Sequence, residues 1–462
     1  MRIFRHHISP IKLVLITGDF LLLLLASWAA GWLRYRGLGL AVDPMSASLA
    51  TSIVFAVLIS MCMLAFGAYQ IDAIRDFRVL LLRVAVALCA GMMLVSAVLY
   101  FIPTIALWRS VLVIAIVLSG IAVSFWHAFL IFLIWPTQLA TRLVIVGDPA
   151  SVSLARDVIA KAGDAGLEPV GAVDPGRLKE TGGADAAGPP LMPDLLSFAR
   201  ARDAEMILIA DNTIFDSLPI SQFLRVKMQG LKLVDMASFI ERTQGCLDLK
   251  AVAPFWLAVS GFSAPSPLEK TGKRVFDIAT ALTLLLVTAP FALVTAFAVR
   301  ITSPGPVLYK QTRVGLDGQD FELLKFRSMR EDAEASGGPQ WAQKNDPRIT
   351  PVGRFIRRTR LDEIPQIINV LKGDMSIVGP RPERPFFVEE LARALPLYPE
   401  RHLVKPGITG WAQLRYSYGA SAEDARRKLE YDLYYIKNYS LFLDFLIVLQ
   451  TIRVVIFPQG VR

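Results

Sequence analysis

Hydrophobic and polar positions divide the chain into three parts. Four apolar runs, 13–33, 49–69, 84–102 and 110–135, fill the first 140 residues. Each approaches the roughly 20 residues that a helix needs to cross a hydrocarbon core of ~30 Å, so a four-helix transmembrane bundle is predicted over 1–140. Basic residues in the short flanks set its orientation. Arg2, Arg5, Lys12, Arg75, Arg78, Arg83 and Arg142 lie on one side, and only Arg34, Arg36 and Arg109 on the other, which places both ends of the bundle in the cytoplasm. A cleaved leader is not expected, because three further spans follow the first and no small-residue cleavage site is evident. Asp19 and His127 fall inside spans, where ionisable groups are costly. Nothing in the sequence links the two, and packing is their expected role.

Beyond residue 140 the rhythm shortens. Runs at 143–147, 169–174, 206–211 and 231–236 read as buried strands, and 150–161, 193–202 and 216–228 have helical spacing between them. That alternation predicts a parallel α/β sheet over 141–265, a degenerate Rossmann-like domain. A dinucleotide site asks for G-x-G-x-x-G after the first strand. Here the segment is Gly147-Asp-Pro-Ala-Ser-Val152, with one glycine kept and Pro149 removing an amide donor, so a fold without bound cofactor is expected. The Gly/Pro/Ala-rich stretch 175–190 is a loop by composition. Some sugar-nucleotide dehydratases also place such a domain after four spans, but they need a Tyr-x-x-x-Lys pair. None of the eleven tyrosines has lysine four positions on.

The third part, 270–462, opens with an apolar run, 275–299, between Lys273-Arg274 and Arg300. A full crossing would put everything after it outside the cell. Basic flanks at both ends and Pro290 near the middle favour a re-entrant helix that enters and leaves on one face.

Composition agrees with a membrane protein: 54% of residues are apolar, 19% charged, and mean hydropathy is +0.47, whereas soluble domains carry about 25% charged residues. The net charge of +9 is concentrated at the end, since residues 270–462 hold 28 Lys+Arg against 20 Asp+Glu, a net +8. This excess suits phosphate-bearing or anionic-lipid partners. Nucleic acid is not an expected partner. Cys62, Cys89 and Cys246 are too scattered for a disulfide framework or a zinc site.

Polar motifs crowd the segment after Arg300: Lys325-Phe-Arg327-Ser-Met, Asp346-Pro-Arg-Ile-Thr, Arg357-Arg-Thr-Arg-Leu-Asp362-Glu363-Ile-Pro-Gln366, Gly373-Asp-Met-Ser, Gly379-Pro-Arg381-Pro-Glu and Pro406-Gly-Ile-Thr-Gly-Trp-Ala-Gln413. Asp362 and Glu363 stand among Arg357, Arg358 and Arg360, whose charges favour ionised carboxylates. An adjacent pair also suits a hard cation such as Mg²⁺, and repeated arginines match phosphate oxygens. Taken alone, the Asp-Glu pair reads as a solvated charged helix face. A serine or cysteine hydrolase is disfavoured, because His6, His7, His127 and His402 lie outside the motif block. A metal–nucleotide Asp-x-Asp of sugar-only glycosyltransferases is absent, and a scaffold without activity gives no reason for the motifs.

Together these motifs resemble the bacterial sugar transferases, the monotopic phosphoglycosyl transferases, with a match over about 270–462. The layout of spans, Rossmann-like unit and a mostly α catalytic domain is similar to the large polyprenyl-phosphate hexose-1-phosphate transferases of exopolysaccharide and O-antigen pathways. The opening, Arg5-His6 with Ile8-Ser9-Pro10, resembles an exosortase-associated subgroup. The resemblance implies a re-entrant helix over 275–299 kinked at Pro290, though Ala289 stands where relatives often carry serine. It implies that Asp362 is nucleophile and Mg²⁺ ligand with Glu363 as its partner, and that Arg357 and Arg381 contact phosphate. Lys325, Arg327 and Gln413 would line the same site. The implied substrates are UDP-glucose or UDP-galactose and undecaprenyl phosphate, at the cytoplasmic face of the inner membrane. Because its glycine loop is broken, the α/β unit is expected to organise a homodimer rather than to bind NAD.

Overall fold

The computed structural model describes residues 2–3, 6–7, 10–39, 49–69, 77–101, 108–130, 141–162, 167–174, 195–211, 220–249, 262, 264–330, 346, 348–416 and 421–456. The chain forms two compact units, one over 8–252 and one over 253–462 that also includes residues 2–7. Strands β1 (Arg2–Ile3) and β2 (His6–His7) form a short antiparallel ribbon.

In the first unit, helices α1 (Pro10–Gly37), α2 (Leu49–Ala65), α3 (Phe77–Phe101) and α4 (Arg109–Phe129) follow the four apolar runs. Three are long and apolar enough to cross a membrane. The second is 17 residues, about 26 Å at 1.5 Å per residue, the short limit for a span. It stops before the predicted end because Gly67 adopts a φ of 73° and the Ala68 amide turns back to the Met63 carbonyl at 3.0 Å, a left-handed glycine cap. Helix α1 runs antiparallel to α4. The Asp19 carboxylate meets His127 Nε2 at 2.8 Å near one end, and Tyr35 meets Trp108 with ring centroids 5.8 Å apart near the other. Asp19 and His127 are fully buried, so two residues that the sequence left unlinked are each other's partner.

The α/β part has the expected parallel sheet, in the order β4-β3-β5-β6. Its strands are β3 (Thr141–Val146), β4 (Leu167–Val173), β5 (Met206–Ile209) and β6 (Lys232–Asp235). The crossovers carry α5 (Pro149–Ala162), α6 (Leu195–Arg200) and α7 (Ile220–Met228). The strand side chains Val144, Val146, Ile207 and Ile209 bury against Leu195, Phe198, Phe223 and Val226 of the helices. Past β6, α8 (Met236–Gln244) is capped by Asp235, whose carboxylate accepts from the Ser238 amide. The predicted loop at 175–190 lies outside the described residues.

The second unit begins with α9 (Pro267–Thr302), whose first turn is fixed by a capping box between Ser266 and Glu269. Pro290 lies inside this 36-residue helix. Near its start Lys273, Asp277 and Ala281 are buried, near its end Thr295 and Val299 are buried, and no residue between Ala281 and Thr295 is. The first group is held by ions: Lys273 Nζ lies 2.9 Å from Asp444 and 3.5 Å from Asp277, and Asp277 accepts from the Ser376 hydroxyl and the Ile377 amide. Val299 clusters with Phe326 and Ile356. Strands β7 (Leu308–Val314) and β8 (Asp320–Phe326) form an antiparallel hairpin. Then come α10 (Pro351–Arg358), a 3-10 turn Leu361–Glu363, α11 (Gln366–Lys372) and β9 (Ser376–Val378). After α12 (Pro385–Ala394), β10 (Gly407–Thr409) pairs in parallel with β9. Helices α13 (Trp411–Arg415), α14 (Ala422–Lys437) and α15 (Leu441–Ile456) close the unit.

Candidate active site

Two of the polar motifs are glycine-dependent supports. Gly379, Gly407 and Gly410 meet so closely where β9 leaves for β10 that a Cβ on any of them would run into backbone of the neighbouring segment. That approach carries the loop from Gly379 to Glu383, and with it Arg381, past the end of the sheet.

Asp362 and Glu363 sit on the 3-10 turn that follows α10. Arg360, just before it, adopts a φ of 60°, uncommon outside glycine, and this reversal drives the acidic pair back into the unit. Asp362 is buried, and its Oδ1 has no hydrogen-bond partner among the described residues. Glu363 Oε1 accepts from Arg381 Nη2 at 2.8 Å and lies 3.5 Å from Arg360 Nη1. Lys325, near the end of β8, completes the cluster: its ammonium acts on both carboxylates.

Three shifted titrations follow. Burial, reinforced by the Glu363 charge, pushes the Asp362 carboxyl up to about 6 against the pull of Lys325, Arg357 and Arg360. Burial also disfavours the charge on Glu363, but Arg381, Lys325 and Arg360 outweigh it and hold that carboxyl at about 2. Burial, with help from Arg381, lowers the Lys325 ammonium to about 8. Of the flanking arginines in the sequence reading, Arg360 acts on Glu363, but Arg381 and Lys325 do more to keep that carboxyl ionised. For Asp362 burial wins. Neighbouring carboxyls driven apart in this way are a pattern that recurs at acid–base and nucleophilic sites.

A small pocket is lined by Arg313, Leu323, Lys325, Gln366, Arg381 and Pro382, and it reaches the pair through Arg381, which bonds Glu363, and Lys325, whose charge acts on Asp362. Three cations on so small a surface suit an anion with several oxygens. Arg313 was not singled out from the sequence. The hairpin register could have found it, since Arg313 faces Phe321 while Tyr309 faces Lys325, and a period of two puts Arg313, Leu323 and Lys325 on one face. Its guanidinium donates to the Pro382 carbonyl at 3.0 Å and pairs with Glu383.

The remaining predicted residues are placed differently. Arg357 lies in the last turn of α10, half-buried, where its charge reaches Asp362 and Asp346. The Arg327 fork is occupied by the carbonyls of Pro304 and Ser303 at 2.6 and 2.7 Å, so it ties the strand to the end of α9. Gln413 donates to the Ile408 carbonyl at 3.2 Å, and its Oε1 is buried without a partner among the described residues. Pro290 lies in the exposed middle of α9.

No group of three or more His, Cys, Asp or Glu side chains able to hold a metal occurs among the described residues. Mg²⁺ does not demand one, because it commonly takes one or two carboxylates and keeps substrate phosphates and water as its other ligands. The unpartnered, buried Oδ1 of Asp362 fits that role.

Residues 268–458 match the family model for bacterial sugar transferases, and residues 64–228 match one described as a CoA-binding domain. Among curated relatives, a UDP-N-acetylgalactosamine-undecaprenyl-phosphate N-acetylgalactosaminephosphotransferase of Aeromonas hydrophila is 49% identical over 202 residues, 44% of this chain and 48% of that protein. A UDP-glucose:undecaprenyl-phosphate glucose-1-phosphate transferase of Escherichia coli K12 is 46% identical over 189 residues, 40% of each chain. The match thus spans less than half the length of these two relatives. An exopolysaccharide production protein PSS of Rhizobium leguminosarum bv. phaseoli is 45% identical over 188 residues, which are 39% of this chain but 92% of that protein. With 92% of that relative matched at 45% identity, the chain belongs to the bacterial sugar transferase family.

Proposed function

We propose that this protein transfers a hexose-1-phosphate from a UDP-sugar to undecaprenyl phosphate, releasing UMP, as the first membrane step of an exopolysaccharide or O-antigen pathway. The observation that carries the proposal is a buried carboxylate with an unpartnered oxygen, Asp362, that feels the charge of Lys325, one of three cations lining a pocket. Two relatives bear names for this kind of reaction.

In the first half-reaction an Asp362 oxygen attacks the sugar-bearing phosphorus. The bond from that phosphorus to the UMP oxygen breaks, and UMP leaves with the electron pair. In the second, an oxygen of undecaprenyl phosphate attacks the aspartyl phosphorus and returns the carboxylate, giving the lipid diphosphate sugar. Lys325, Arg381 and Arg313 hold the diphosphate oxygens and oppose the charge that builds on them. Glu363, ionised and bonded to Arg381, keeps that guanidinium aimed. Mg²⁺ on Asp362 would neutralise charge on the departing phosphate. UDP-glucose is the proposed donor, with UDP-galactose next, on the strength of the subgroup resemblance.

The lipid phosphate is reached through α9, which we read as re-entrant. A straight helix would set Arg274 and Val299 about 38 Å apart. Yet Val299 clusters with Phe326, two strand residues (about 7 Å) from Leu324. The Leu324 amide donates to Asn369 Oδ1, and the next carbonyl, Val370, accepts from Arg274. These links would have to run in one straight line to cover 38 Å, and a bend at Pro290 removes that demand. One unit holding both ends of an apolar helix with a bare middle supports a catalytic domain on one face of the membrane, the cytoplasmic face of the inner membrane where UDP-sugars are made.

The α/β unit is proposed to organise a homodimer and not to bind NAD. Asp148 accepts from the amides of Ala150 and Ser151, occupying donors that a pyrophosphate would need. On α7, Ile220, Leu224 and Met228 form an exposed apolar stripe at helical spacing.

Intact-protein mass after mixing with Mg²⁺ and a panel of UDP-sugars tests the reaction. A hexose-phosphate adduct, with UMP released in an amount near that of the enzyme before any lipid is added, is expected. UMP release that requires the lipid, with no adduct, would refute the covalent course, and turnover only with an N-acetylated sugar would refute the donor.

A further inference from the structure

We infer that Arg401 is a positioning residue for the transfer site, acting through the backbone of Arg381. Arg401 lies on the 3-10 segment Tyr398–Leu403, outside every motif that the sequence singled out. It is only 6% exposed, so its charge does not face the pocket. Its Nη2 donates to the Arg381 carbonyl at 2.8 Å and to Asp432 Oδ2 at 2.9 Å, and its Nη1 donates to the Tyr398 hydroxyl at 2.8 Å. Asp432, on α14, is itself buried. One guanidinium fork thus connects two segments, its own 3-10 segment and α14, to the carbonyl of the residue whose own side chain grips Glu363 at 2.8 Å.

Neighbouring carbonyls of the same loop are held as well. That of Val378 accepts from Lys273 and from the Tyr435 hydroxyl, both at 3.1 Å. That of Pro380 accepts from the Gly407 amide at 2.9 Å, that of Pro382 from Arg313, and that of Glu383 from the Val314 amide at 3.0 Å. Holding the loop by its carbonyls sets where the Arg381 Cα–Cβ bond points. A long side chain on a fixed stem loses less freedom when it binds an anion, and a displacement of ~1 Å at such a group costs on the order of a hundredfold in rate. Arg401 sets that stem at Arg381 itself. The inference rests on the transfer reaction proposed above.

Arg401→Met alone would strand the Asp432 carboxylate in the interior and risk unfolding. The test therefore uses the full-length protein with Arg401→Met and Asp432→Leu together, which removes both charges, and Arg401→Lys, which keeps the charge but not the fork. With UDP-glucose, the wider UDP-sugar panel and undecaprenyl phosphate, the double variant is expected to keep a Tm near wild type and to lose about a hundredfold in kcat/KM. Arg401→Lys is expected to recover part of the loss. In an Arg381→Lys background the same pair of changes should cost less than threefold, because the group being aimed has already gone. A role in folding alone would give equal losses in both backgrounds, and that result overturns the inference, as does a double variant within twofold of wild type. If wild type transfers no sugar from the panel, the proposed function fails. The positioning claim is then decided by a structure of the double variant: Arg381 displaced from Glu363 upholds it, and Arg381 still bonded to Glu363 overturns it.

Discussion

Replacing Asp362 by asparagine should abolish transfer and stabilise the protein. The carboxyl is buried, and its pKa in the folded chain is about 6 against 3.8 for the free side chain. A carboxyl raised in this way costs folding energy as pH rises: the unfolded chain gives up its proton near 3.8, and the folded chain holds on until about 6. The cost is absent below pH ~4, grows through the interval, and is complete above 6. At 1.36 kcal/mol per unit the gap amounts to up to about 3 kcal/mol. Asparagine is nearly isosteric and carries no charge, so the variant escapes the penalty. For a cooperative unit of this size, with ~2–4 °C per kcal/mol, the gain in Tm at pH 7.5 would be on the order of 5–10 °C. Thermal unfolding of the purified protein in detergent with EDTA, at pH 4 and pH 7.5, measures it. The variant should match wild type at the acid end and exceed it at neutral pH. A variant no more stable than wild type at pH 7.5 would refute the claim that burial governs Asp362. Adding Mg²⁺ should narrow the gap by stabilising wild type alone, which reports the metal without any turnover.

With the Lys325 ammonium at about 8, kcat/KM for the UDP-sugar should fall about tenfold per pH unit above 8. Lys325→Arg should remove this alkaline limb at a lower plateau, because a guanidinium stays charged there, and an unchanged limb assigns it to another group. A cysteine introduced at exposed Glu390 should react with an impermeant maleimide only after the inner membrane is opened, and labelling in intact spheroplasts rules out the re-entrant reading of α9. Leu224→Asp on the apolar stripe of α7 should shift the detergent-solubilised protein from dimer to monomer by light scattering, with transfer activity per chain changed less than twofold. A dimer that survives the change places the interface elsewhere.

Periodicity and composition were enough for the apolar helices, the alternating α/β unit, and the density of charged motifs after Arg300. These are local properties: a span needs only length and hydropathy, and a strand–helix rhythm only its own period. Contacts between distant positions were decided by the tertiary structure. Asp19 and His127 are 108 residues apart, and no periodicity could pair them. Arg327 belongs to a motif in the sequence, but in the fold its fork is consumed by two carbonyls at the end of α9. Asp362 and Glu363 show the division most sharply. Adjacent in the chain and among the same arginines, they titrate near 6 and near 2, because Arg381, eighteen positions on, bonds to Glu363. Burial leaves Asp362 without such a partner. Sequence places charges on a line, and only folding sets which of them meet and how much water stays between them.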